Sequence, residues 1–347
     1  MQDDILGLAL EVSRVTGEKI SQIESIMRQT RLLALNARIE AGRAGSAGAA
    51  FGVVAHEMGS VSTQITEVAE ELRSAVQRNV ARLETVGAEL MTTFRGARLQ
   101  DIALNAVEII DRNLYERSCD VRWWATDSAV VQALEAPGPD TVSYAVERLA
   151  TILRSYTVYL DLWVVDAEGR VVANGRPRTY PGVIGLDVSR EAWFRDAMAT
   201  RDGDQYVVAD VAPTLALAGA PTATYATAIR KGGDANGHAI GALGIFFDWA
   251  PQAAAVVGGV GLSDEEKQHA RVLLLDGAKR VIAASDGGGM LSELYDLRSK
   301  GAARGYYVHG NALVAHALTP GYETYRGLGW SGVIEYQLRG NSEGGAS

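Results

Sequence analysis

One cysteine, Cys119, stands in 347 residues, so no intramolecular disulfide framework is available. The first proline is Pro137, so the first third of the chain has no residue that breaks helices. Long apolar runs are also missing. The longest uncharged stretch, Val211 to Ile229, contains Pro213, Gly219 and Pro221, which argues against a spanning helix and against insertion in a membrane. The opening Met1-Gln2-Asp3-Asp4 is acidic where an export signal is basic, and with the lone thiol this predicts a cytoplasmic protein. A net charge of −9, with 11 basic against 12 acidic groups in residues 1–100, excludes a basic nucleic-acid surface. His56, His238, His269, His309 and His316 have no ligand spacing, so no metal is expected. The glycine runs 258–261 and 287–289 lack the Lys-Ser/Thr of a phosphate loop, and no nucleophile elbow or kinase signature occurs. An enzyme is not expected, nor any cofactor.

Two heptad seams occupy the proline-free region. Ile20, Ile23, Met27, Thr30, Ala34, Ala37, Ala41 and Ala44 alternate spacings of three and four; so do Phe51, Val54, Met58, Val61, Ile65, Val68, Leu72, Ala75 and Asn79. Gly42, Gly45, Gly48 and Gly52 lie between them and allow a reversal, which predicts an antiparallel hairpin with its tip near residues 44–48. One hairpin cannot bury both seams, so two are expected to pair as a homodimeric four-helix bundle. Beyond residue 150, short β-branched and aromatic runs punctuated by Gly, Pro and Asp predict antiparallel sheet. Residues 162–173 echo residues 272–283, each a strand, a turn capped by Asp166 or Asp276, and a strand. The expected class is α+β: a helical hairpin over 1–98, then 99–338 with a long helix at 100–135, a first lobe at 155–255 and a second at 265–338, and a flexible tail at 339–347.

The run from Gln29 to Gly45, followed by Phe51-Gly52-Val53-Val54-Ala55-His56-Glu57, closely resembles the hairpin tip of methyl-accepting chemotaxis proteins. The resemblance implies that the tip binds the chemotaxis histidine kinase and its coupling protein. The partner-facing residues it marks are Asn36, Glu40, Arg43, Phe51, Val53 and Glu57. Glu70-Glu71 is similar to a family adaptation site, although a solvated pair of charges explains it as well. A stripe of Arg28, Arg31, Leu35 and Arg38 shares one helix face, where family members meet neighbouring dimers; three arginines there oppose trimers of dimers, whereas Asn36, Glu40 and Arg43 match family residues that hold such trimers together.

The remainder resembles a double Cache sensor: a long helix carrying two PAS-like lobes. Asp187-Val188-Ser189-Arg190-Glu191-Ala192-Trp193-Phe194 and Gly244-Ile245-Phe246-Phe247-Asp248 carry the likeness. It implies a small-molecule site in the first lobe, with Trp193, Phe194, Tyr206, Asp210, Tyr225 and Asp248 as candidates. Members that bind amino acids use an Arg where this chain has Glu191, with Arg190 one step off. An amine or nitrogen-bearing ring is therefore the expected ligand. The alternative is a pocketless dimerisation module in a scaffold protein.

Overall fold

The structure, a computed structural model, describes residues 2–338; the expected tail at 339–347 lies outside them. The chain divides into one compact unit ending at Arg95 and a second beginning at Gly96. The first is a hairpin of α1 (Gln2–Arg43) and the opening half of α2 (Ala49–Trp124), joined by a short 3-10 turn at Gly45–Gly48. Of the four glycines at the reversal, Gly45 takes a positive φ of 59° and makes the turn. Gly48 serves close approach instead: a Cβ there would lie 2.3 Å from the Ala41 carbonyl oxygen.

The seam inside the hairpin differs on α2 from the expected one. Ile20, Ala34 and Ala41 of α1 are buried, and so are Gly48 of the turn and Ala55, Ser62 and Ala69 of α2. These positions again alternate threes and fours if Gly52, Gly59 and Thr66 are included. The large residues assigned to that seam, Phe51, Val54, Met58, Val61, Ile65, Val68 and Leu72, remain exposed. Small residues win the inner face because they let the helix axes approach, while the apolar stripe beside them is left for another surface. Arg73 Nη2 meets Glu24 Oε1 at 2.6 Å across the two helices and pins their register.

In the second unit α2 buries Leu99, Ala103, Val107, Ile110, Leu114, Val121 and Trp124. It ends at Trp124, short of the expected residue 135, because Asp127 starts a new helix. Asp127 accepts from the Ala129 amide at 3.0 Å as the N-cap of α3 (Ser128–Glu135), and Arg148 of α4 (Pro139–Ser155) holds its other oxygen at 2.7 Å. Pro139 is the first residue of α4, where its missing N–H costs nothing.

Two five-stranded antiparallel sheets follow. The first contains β1 (Tyr159–Asp166), β2 (Val171–Asn174), β3 (Val207–Thr214), β4 (Ala220–Arg230) and β5 (Ala239–Asp248), in the order β2-β1-β5-β4-β3. Helix α5 (Ala192–Met198) precedes β3 and covers one face. After α6 (Trp249–Gly259) and α7 (Asp264–His269), the second sheet contains β6 (Ala270–Leu275), β7 (Val281–Ala284), β8 (Arg304–His309), β9 (Ala312–Leu318) and β10 (Ser331–Gln337), in the order β7-β6-β10-β9-β8. The order is the same permutation twice, which matches the internal echo. Both turn caps form: Asp166 Oδ1 accepts from the Arg170 amide at 2.7 Å, and Asp276 Oδ1 from the Arg280 amide at 2.9 Å.

One hydrophobic core runs through both lobes. Where β10 crosses α2 the strand carries Gly332, whose Cβ would stand 2.6 Å from the Ala103 carbonyl oxygen. Between the lobes, Trp249 donates its indole N–H to the Ile282 carbonyl at 2.6 Å and packs edge-on against Trp330 at 5.0 Å. Trp330 donates to Asp210 Oδ1 at 3.0 Å.

Candidate functional site

At the hairpin end, alanines and glycines of the inner seam bring the two helices together, so everything larger projects outward. All six residues assigned to partners, Asn36, Glu40, Arg43, Phe51, Val53 and Glu57, are solvent-exposed. Phe51 is the extreme case at 73% exposure, and Leu32, Leu33, Val53 and Val54 add further uncovered apolar surface. Arg43 Nη1 and Glu40 Oε1 stand 2.7 Å apart on the last turn of α1, where the cation also faces the unpaired carbonyls of the helix end. Arg28, Arg31, Leu35 and Arg38 do share a face; with His56, Gly59 and Ser60 of α2 they line an open groove of about 930 Å³.

The six ligand candidates of the first lobe are not brought together. Period-two alternation along β4 and β5 divides them between opposite faces of the sheet. Trp193 and Phe194 of α5 pack on the outer face with Trp163, Val165, Ala226 and Phe246. Trp163 and Phe246 have ring centroids 4.0 Å apart, and Trp193 lies 5.9 Å from Phe246 and 6.5 Å from Trp163, so aromatic rings fill the space between α5 and the sheet. Tyr206 and Tyr225 stack at 6.3 Å on the inner face, Tyr225 fully buried in the main core. The two aspartates separate as well. Asp210 spends Oδ1 on Trp330 of the second lobe and on the Val211 amide at 2.8 Å. Asp248 closes β5 on the outer side; partial burial raises its carboxyl, and the nearby Arg176 guanidinium works against that rise. Asp210 and Asp248 therefore lie on different sides of the sheet.

Several groups that matter locally were not singled out from the sequence. Asp161, completely buried, has four donors: the Leu162 amide, the Trp163 indole, the Asn174 amide nitrogen at 2.7 Å and the Arg176 amide. That satisfies both oxygens and makes it a structural anchor, although burial still raises its carboxyl above the ordinary value. Phe246 could have been found by extending the alternation that buries Ile245 and Phe247 on the other side. Nothing in the local pattern marks Asp161, because two of its donors, Asn174 and Arg176, lie 13 and 15 residues further along the chain.

Comparison with known proteins gives different relatives for the two ends of the chain. Residues 9–116 match the profile of the methyl-accepting chemotaxis protein (MCP) signalling domain. Over that stretch the chain resembles an MCP signalling domain. Among its relatives are the methyl-accepting chemotaxis aspartate transducer of Klebsiella aerogenes, 31% identical over 114 residues, covering 32% of this chain and 21% of the transducer. Methyl-accepting chemotaxis protein IV of Escherichia coli is 34% identical over 99 residues, covering 28% and 18%. The transducer protein Htr18 of Halobacterium salinarum reaches 50% over 60 residues, covering 17% and 7%. The chain thus spans about a fifth or less of the curated relatives it matches.

The second unit has the fold of a double Cache sensor. It resembles the sensor domain of the V. cholerae histidine kinase DctB (TM-score 0.51, 12% identity, 72% of this chain, 98% of that one). The sensory domain of the Campylobacter jejuni chemoreceptor Tlp3 is similar to the same degree (0.51, 16%, 70% and 92%). At such identities the likeness is one of fold. Among the described residues no helix is long and apolar enough to cross a membrane.

Proposed function

We propose that this chain is a chemoreceptor in which a Cache sensor sets the signalling state of the MCP hairpin, and that the hairpin acts on a chemotaxis histidine kinase through its coupling protein. The observation that carries the reading is the tip: a sequence matching the MCP signalling profile, with Asn36, Glu40, Arg43, Phe51, Val53 and Glu57 all exposed at one end of a hairpin whose interior is filled by alanine and glycine. The exposed stripe from Phe51 to Leu72 supports homodimerisation into a four-helix bundle. On this reading the hairpin lies in the cytoplasm, where the kinase would meet it. A pull-down of the cognate kinase and coupling protein on immobilised full chain tests it: capture that Phe51→Asp and Glu57→Arg abolish supports the proposal, and no capture, or capture indifferent to both changes, refutes it.

The aromatic filling of the outer face favours a second reading of the first lobe, as a scaffold and dimerisation module that takes no ligand between α5 and the sheet. A sensor predicts ligand-dependent kinase activity; a scaffold predicts recruitment that no small molecule alters.

A further inference from the structure

A cavity of about 330 Å³ opens on the first lobe between the last turns of α2 and the end of β4. Cys119, Arg122 and Trp123 form one wall, Thr227 and Arg230 the other. Its volume falls at the small end of ligand sites, enough for a molecule of a few carbon atoms.

Arg122 and Arg230 both line this cavity, Arg122 with its guanidinium over the Tyr206 ring at 5.5 Å. Arg122 donates from Nε to the Ser118 carbonyl at 2.9 Å, from Nη1 to the Asp204 carbonyl at 3.3 Å, and from Nη2 to Cys119 Sγ at 3.6 Å. Arg230, 6% exposed, donates from Nη1 to the Gly237 carbonyl at 2.9 Å and from Nη2 to the Thr200 carbonyl, while its buried Nε has no acceptor. Among the described residues neither arginine forms an ion pair. A buried charged donor without an acceptor is unfavourable, and a planar fork is suited to a carboxylate. Asp204 and Asp234 also border the cavity, but both are exposed and their charge is screened by solvent. Trp123 and Ala228 supply apolar surface that an inorganic anion would leave unused.

We propose that this cavity binds a small organic carboxylate, its oxygens taken by the guanidinium of Arg122 at the wall, with the buried positive charge of Arg230 behind it. The site lies against α2, the helix that begins at Ala49 in the signalling hairpin. Its consequence for signalling rests on the chemoreceptor reading, whereas binding itself does not.

The test uses the intact chain without kinase, so its failure leaves the proposed function standing. Pyruvate, lactate and succinate are titrated calorimetrically, with inorganic phosphate and ethylamine as controls. In parallel, iodoacetamide alkylation of Cys119, the only thiol, reports occupancy in the unaltered protein. The expected result is saturable binding of at least one carboxylate, slowed alkylation of Cys119 at saturation, and at least tenfold weaker binding in Arg122→Gln. Trp123→Ala, a change at a largely exposed side chain, is expected to weaken binding as well. Failure of all three carboxylates to bind or protect Cys119, equal binding of phosphate, or unchanged affinity in a folded Arg122→Gln protein overturns the proposal.

Discussion

Replacing Asp111 with Asn should make the second unit more stable at neutral pH and leave it nearly unchanged in acid. Asp111 sits on α2 with 1% exposure, and Oδ2 accepts from the Gly321 amide at 2.7 Å. Oδ1 has no partner, and neither does the hydroxyl of Thr319 nearby. Burial, aided by Glu108, outweighs the Gly321 bond and pushes the carboxyl from 3.8 up to about 6. A carboxyl whose folded pKa is raised keeps its proton while the unfolded chain has already lost it. Stability therefore declines as pH rises from about 4 to about 6 and is flat above that. The difference of about two pKa units corresponds to at most about 3 kcal/mol, and relaxation of the neighbours would lower it toward about 1. Asn keeps the acceptor for Gly321, never ionises, and offers an N–H to the Thr319 hydroxyl. All six tryptophans lie beyond residue 96, so urea unfolding followed by tryptophan fluorescence reads this unit alone. The variant should gain about 1–3 kcal/mol over the parent at pH 7.5 and less than about 1 at pH 4. A difference that is the same at both pH values, or larger in acid, would refute the reasoning.

The exposed α2 stripe predicts that Val61→Glu lowers the mass seen by light scattering from dimer to monomer at tens of micromolar, whereas Glu71→Gln on the same helix does not. Gly48→Val, which drives a side chain into the Ala41 carbonyl, should lower the melting temperature of the hairpin through overpacking of about 1–3 kcal/mol, followed by circular dichroism at 222 nm; an unchanged transition would mean that the tip has room. Inserting one residue after Asn79 turns the rest of α2 by about 100° relative to the hairpin. Kinase recruitment should survive the insertion, while regulation by any ligand should vanish; intact regulation counts against coupling through α2.

Much of the fold was legible because it follows from periodicity. The proline-free heptads mark the hairpin, the β-branched runs mark the sheets, and the Asp-centred turns at Asp166 and Asp276 mark the duplication. Two features were not legible. Choosing which of two adjacent stripes faces inward, Gly48-Ala55-Ser62-Ala69 or Phe51-Val54-Met58-Val61, depends on how closely the helices approach, which hydrophobicity alone does not state. The break after Trp124 depends on a capping bond from Asp127 whose partner Arg148 is 21 residues away. The ligand candidates illustrate the same limit: Tyr225 and Phe246 belong to neighbouring strands yet face opposite ways, and only strand register decides which residues share a face.

Kinase activity is the measurement closest to signalling. Purified chemotaxis histidine kinase and coupling protein from the same organism are mixed with full chain, and phosphotransfer is timed with and without it. A severalfold change in rate that saturates with chain concentration, and that Phe51→Asp removes without altering the fold, is the predicted result. A rate unaffected by the chain at saturating concentration would contradict the assignment of this hairpin as a signalling output.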